Sequence, residues 1–179
     1  MGTTDFRTDA GELTNNDLSI RIFSERELRE LTHISFLDIE NYVKVSELQP
    51  SEIYHRVVAF PSDLQDYCLS QLQYIEDSFG DARQGLNSIS SLNRERRKDL
   101  VAVHYDRAGT PPNGEKRFSG DLGGCSGGAI LTGNVGTTSV AFSGIILEGV
   151  RYKSQDIMLV GIGAEKVVEV VREAIVRKR

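Results

Sequence analysis

The chain has no tryptophan, only two cysteines, three histidines and four prolines in 179 residues. Two cysteines, Cys68 and Cys125, do not make the disulfide framework of a small secreted domain. No Cys/His cluster has zinc-ligand spacing, so neither a metal nor another cofactor is expected. A reducing, cytoplasmic setting is the simplest fit. No apolar run approaches the roughly 20 residues that span a bilayer, and no membrane role is expected. The N-terminus, MGTTDFRTDAGELTNND, is too polar and acidic for a signal peptide. Phe6 stands where a myristoylation signal needs Ser or Thr. A net charge of −5 works against general nucleic-acid binding.

What remains is a globular composition, 39% hydrophobic and 26% charged, long enough for one sizeable core. Alternation and β-branched content predict strands at 18–23, 53–60, 100–105, 129–132, 139–149 and 156–162. Another strand is expected within 66–76, in a stretch ambiguous between strand and helix. SERELRELT (24–32) suits a short helix, and 34–45 a strand broken near Asn41. The segments 83–98 and 106–124 are polar or glycine- and proline-rich connections. The basic knot Arg94, Arg96, Arg97 and Lys98 suits a solvated loop. Residues 164–179 form an amphipathic helix with Val167, Val168, Val171, Ala174 and Ile175 on one face and basic residues in the last turn. The chain is expected to be mostly β with a terminal helix.

GDLGGCSGGAIL (120–131) packs five glycines around Ser126. A serine hydroxyl attacks well only with a base to take its proton and donors aimed at the resulting oxyanion. Backbone N–H groups serve as such donors where the chain curls tightly, and glycine permits the curl. The N–H groups of Gly124 and Ser126 are the candidate oxyanion hole. An ordinary tight turn is the plainer alternative. A phosphate cradle fits worse, because the loop lacks a Walker lysine and opens no helix. VGIGAEKVV (160–168) is similar to a strand–glycine–helix phosphate turn, but a helix start after a last strand explains it.

GGCSGGAIL resembles the G-x-S-G-G nucleophile loop of trypsin-like, chymotrypsin-fold serine peptidases. The resemblance spans about residues 50–179. VVAFP (57–61) is similar to the segment that opens the second barrel in many bacterial members, with Ala59 in place of glycine. FSGIILEG (142–149) stands where the cleft-lining strand belongs. Cys125 replaces a residue that is usually acidic, amide or small polar, and Ala129 replaces a common proline. The resemblance implies an antiparallel β-barrel of the double-barrel fold with its first barrel incomplete. Residues 1–50 would be a remnant of the first barrel and linker, 51–163 the second barrel, and 164–179 the C-terminal helix.

It also implies a histidine–acid–serine order along the chain. NNDLSIRI (15–22) resembles the acid segment, which makes Asp17 the triad acid; a turn or cap beside Asn15 and Asn16 is the alternative. The histidine is harder to place. His55 and His104 fall within strands. His33 is the best placed, with Asp63 or Asp66 as its acid, but both follow VVAFP, against the family order. Otherwise the histidine lies on a preceding segment or another chain, and the chain alone is nearly inactive, since losing a triad member costs about 10⁴–10⁶ in rate. The resemblance places the substrate pocket at Ser119–Gly123 and Ser143–Gly149, including Asp121, Ser143, Gly144 and Gly149. Asp121 or Glu148 would favour a basic side chain. The expected function is peptide-bond hydrolysis on a polypeptide substrate. The alternative is a catalytically dead barrel that binds peptides or proteins.

Overall fold

The computed structural model describes Thr4–Asp5, Ser19–Ile20, Arg26, Arg29 and residues 41–64, 75–88, 96–105, 122–152 and 156–177. Strands β1 (Thr4–Asp5) and β2 (Ser19–Ile20) form a two-stranded antiparallel pair. Six further strands follow: β3 (Ile53–Ala59), β4 (Ile75–Asp81), β5 (Leu100–Tyr105), β6 (Ala129–Asn134), β7 (Val140–Tyr152) and β8 (Asp156–Gly163). They close into one antiparallel barrel in the order β3-β4-β5-β8-β7-β6, and β6 pairs back onto β3. Helix α1 (Ala164–Arg177) follows directly on β8.

Period-two alternation explains the barrel wall. Along β3 every second residue is buried, so Ile53, His55, Val57 and Ala59 point inward. With Val101, Val103, Ile130, Ile146 and Leu159, the apolar members of this row fill the interior. Each such aliphatic side chain contributes roughly 1.5–3 kcal/mol on burial. A separate cluster, Phe142, Ile162, Ala164 and Val167 with Ile145, Leu147 and Val171, packs the helix on the barrel. The expected helix face holds for Val167, Val168 and Ala174. Ile175 departs from it: it is 43% exposed, and Val176 beside it 71%.

Two bulges shape β7. Its pairing with β6 passes from Ile130↔Gly144 to Leu131↔Phe142, leaving Ser143 over. Its pairing with β8 passes from Ile146↔Gly161 to Val160↔Glu148, leaving Leu147 over. Such bulges bend and re-aim a strand. Close backbone approach also marks this seam. A Cβ on Gly161 would lie 2.5 Å from the Ile145 carbonyl oxygen and 3.0 Å from Ile130 Cδ1. Gly161→Ala is expected to cost about 1–3 kcal/mol through overpacking, read as a lowered midpoint of thermal unfolding.

Two expectations shift. The barrel strand expected within 66–76 is β4 at Ile75–Asp81, which overlaps that range at 75 and 76; residues 65–74 lie outside the described residues. IEDSFGD carries little apolar signal, and pairing with β3 is what holds it extended. Within 41–45 there is no strand; Tyr42 makes one isolated parallel bridge to Phe142, and a 3₁₀ turn begins at Val45.

Candidate functional site

Ser126 sits in two consecutive tight turns. The Cys125 N–H donates to the Leu122 carbonyl at 3.3 Å, and the Gly128 N–H to the Cys125 carbonyl at 2.9 Å. The third residue of each turn is a glycine with positive φ, +82° at Gly124 and +85° at Gly127. That is the type II pattern. Leu122 and Cys125 are buried in the core, whereas Gly123, Gly124, Ser126 and Gly127 are exposed. Cys125 therefore roots the loop with its thiol enclosed among apolar side chains, and the neighbouring Ser126 faces outward.

Three backbone hydrogen bonds staple the loop to the barrel. The Ser62 N–H donates to the Gly123 carbonyl at 2.7 Å; Gly127 N–H donates to Ile146 O and Ile146 N–H to Gly128 O, each at 2.8 Å. Gly124 is also pressed against the chain after β3: a Cβ there would meet Ser62 Oγ at 2.5 Å and Ser62 N at 2.8 Å. Among the described residues, no hydrogen bond uses the N–H of Gly124 or of Ser126. Two spare backbone donors thus flank an exposed hydroxyl on a rigidly held curl. Chemically, that arrangement suits stabilisation of a developing oxyanion.

No base accompanies it among the described residues. His55 is fully buried in β3. The serine loop adjoins the other end of that strand, where a Cβ on Gly128 would touch Ala59 and Val58. His104 lies on β5, separated from β3 by β4 and from β6 by β8 and β7. Asp17, His33, Asp66 and Asp121 lie outside the described residues, as does the side chain of Asp63.

The expected pocket wall divides. Ser143 is 1% exposed and its hydroxyl donates to the Ile130 carbonyl at 2.9 Å. Gly144 is buried, and a Cβ there would meet Ile162 O at 2.4 Å and Val101 Cγ1 at 2.6 Å. Both belong to the barrel wall and interior rather than to a surface pocket. The bulge at Ser143 turns its side chain to the inside. Gly149 is exposed and Glu148 half-buried, so this end of the stretch reaches the surface. Burial pushes the Glu148 carboxyl up, and its Oε1 has no hydrogen-bond partner among the described residues.

A second polar assembly crosses the barrel interior, and sequence reasoning missed it. Ser143 Oγ donates to Ile130 O, and Thr132 Oγ1 donates to Ser143 Oγ at 2.7 Å. His55 Nδ1 lies 2.8 Å from Thr132 Oγ1. Beyond the ring, His55 Nε2 faces Asp81 Oδ2 at 3.6 Å. Asp81 Oδ2 accepts from Arg83 Nε at 2.6 Å and Asp81 Oδ1 from the Arg83 N–H at 3.1 Å. Burial works to raise the Asp81 carboxyl. The facing His55 ring, the hydrogen bonds from Arg83 and the guanidinium charge outweigh it and hold the carboxyl below its ordinary range. The only sequence signal was polar residues at inward strand positions, visible once the registers are known.

Elsewhere, a groove of about 610 Å³ runs along α1, lined by Tyr42, Asp99, Lys166, Val168 and Arg172 among others. It lies on the helix and does not include the serine loop. Among the described residues no His/Cys/Asp/Glu group could hold a metal, and no helix is long and apolar enough to cross a membrane. The chain matches no family model, no curated protein and no solved structure.

Proposed function

We propose that the chain is the nucleophile-bearing portion of a trypsin-like serine peptidase, with its six strands as the second barrel of the chymotrypsin-like fold. Ser126 attacks the scissile carbonyl, and the N–H groups of Gly124 and Ser126 receive the oxyanion. One observation carries this reading. An exposed serine stands between two positive-φ glycines with two unengaged backbone donors beside it, all stapled to a closed antiparallel barrel. An ordinary turn needs no such pair of spare donors. The substrate is a polypeptide, approached from the side of β7 where Gly149 is exposed. The base is His33, with Asp63 or Asp66 as its acid, or, with Asp17 as the acid, a histidine on another segment or chain.

A fluorophosphonate probe tests the proposal on the full chain, alone and in an extract of its native cells. Ser126 is expected to be labelled, and Ser126→Ala to abolish labelling. Because Ser126 is exposed, the substitution should change stability by no more than about 0.5 kcal/mol. If His33 is the base, His33→Ala lowers the labelling rate by about 10⁴-fold or more. Labelling that survives that change assigns the base to another segment.

A second reading is favoured by the two described imidazoles, since both stand in strands away from Ser126. On it, the barrel binds peptide or protein without cleaving. Absence of labelling both in the isolated chain and in the native extract would select it.

A further inference from the structure

The buried string has a direction, because it ends on a carbonyl. Ile130 O can only accept, so the Ser143 proton is committed to it. Ser143 Oγ must then accept from Thr132, and Thr132 Oγ1 from His55. His55 Nδ1 therefore carries a proton. The other nitrogen, Nε2, is buried without a hydrogen-bond partner among the described residues and lies 3.6 Å from Asp81 Oδ2.

Asp81 has a second duty. Arg83, held by Asp81, donates through Nη1 to Val45 O and through Nη2 to Leu48 O at 3.0 Å. These carbonyls belong to the segment that enters the barrel domain. Its Val45 side chain is 7% exposed and joins the interior cluster. The segment is also tied by the Val43 N–H to Phe142 O at 2.8 Å, by an exposed Lys44–Glu165 pair at 2.6 Å, and by Leu48 and Tyr42 packing against the apolar clusters.

We propose that Asp81 is the anchor of a polar lock, orienting Arg83 against the carbonyls of residues 45–48, and that protonating Asp81 releases this segment before the barrel opens. A neutral Asp81 carboxyl no longer attracts the guanidinium, so the grip of Arg83 on the Val45 and Leu48 carbonyls loosens. The other groups near Asp81 do not replace it. His104 stands opposite Gly80 on β5, next to the inward Val103 and so on the other face. Glu47 pairs with Lys44 at 3.8 Å and is 69% exposed. The sign follows from the lowered carboxyl: the lock is whole above the ordinary carboxylate range and is lost as pH falls through the depressed folded value.

Amide hydrogen exchange tests this on the full chain. As pH falls, protection at Val43, Glu47 and Leu48 should drop by about tenfold before that of Val101–Val103 changes. Asp81→Asn should produce the same selective loss at neutral pH. Protection at 43–48 that Asp81→Asn leaves equal to wild type overturns the proposal. If that variant does not fold, the wild-type acid series decides: simultaneous loss at the segment and the barrel refutes the lock.

Discussion

Gly124→Ala is expected to lower the unfolding free energy by about 2–4 kcal/mol and to abolish labelling at Ser126, whereas Gly127→Ala costs only about 1–2 kcal/mol. Both residues hold nearly the same positive φ, so an alanine meets similar backbone strain at either. The difference is space. A Cβ at Gly127 finds nothing within 4 Å, but one at Gly124 runs into the hydroxyl and amide of Ser62. The hydroxyl can rotate away. The Ser62 amide cannot, because it donates to Gly123 O. The first turn must therefore open, carrying the Gly124 N–H away from its position beside Ser126. Denaturant unfolding measures the first effect and probe labelling the second. Equal costs for the two variants would show that the loop is not pinned against Ser62.

His55→Leu should be the most damaging change in the barrel interior, costing about 3–5 kcal/mol, because it strips a buried carboxylate of one partner and a buried hydroxyl of its donor. Thr132→Val alone should cost about 1–3 kcal/mol, leaving His55 Nδ1–H and Ser143 Oγ without their shared neighbour. The double variant is the informative one. Once the imidazole is gone, Thr132 has already lost its donor, and valine replaces it with little further loss. The double variant should therefore fall short of the sum of the singles by about 1 kcal/mol or more. Strict additivity in urea unfolding would mean that the 2.8 Å contact between His55 and Thr132 is not a working hydrogen bond.

Much of the barrel could be read along the chain. IYHRVVA, LVAVHY and DIMLVGIG alternate or run apolar as strands do, and they became β3, β5 and β8. AEKVVEVVREAIVR has the spacing of a helix that buries one stripe. Glycine spacing likewise marked Gly124–Gly128 as a tight curl, and the positive φ at Gly124 and Gly127 agrees. These features are local: period and turn chemistry depend on a few consecutive residues.

Other features depend on which strands meet. IEDSFGD has no strong period, and its place at β4 follows from its ladder with β3. Ser143 resembled a pocket residue until the bulge against Ile130 and Leu131 turned it inward. His55, Asp81, Thr132 and Ser143 are spread over 89 positions (55 to 143), and no spacing rule joins them. Sequence alone determined the barrel strands other than β4, the terminal helix and the glycine curl, because each is encoded within a handful of neighbours. The tertiary structure decided which polar side chains share the barrel interior and which donors beside Ser126 stay unengaged, because those outcomes are set by register and closure, which only the assembled ring of strands defines.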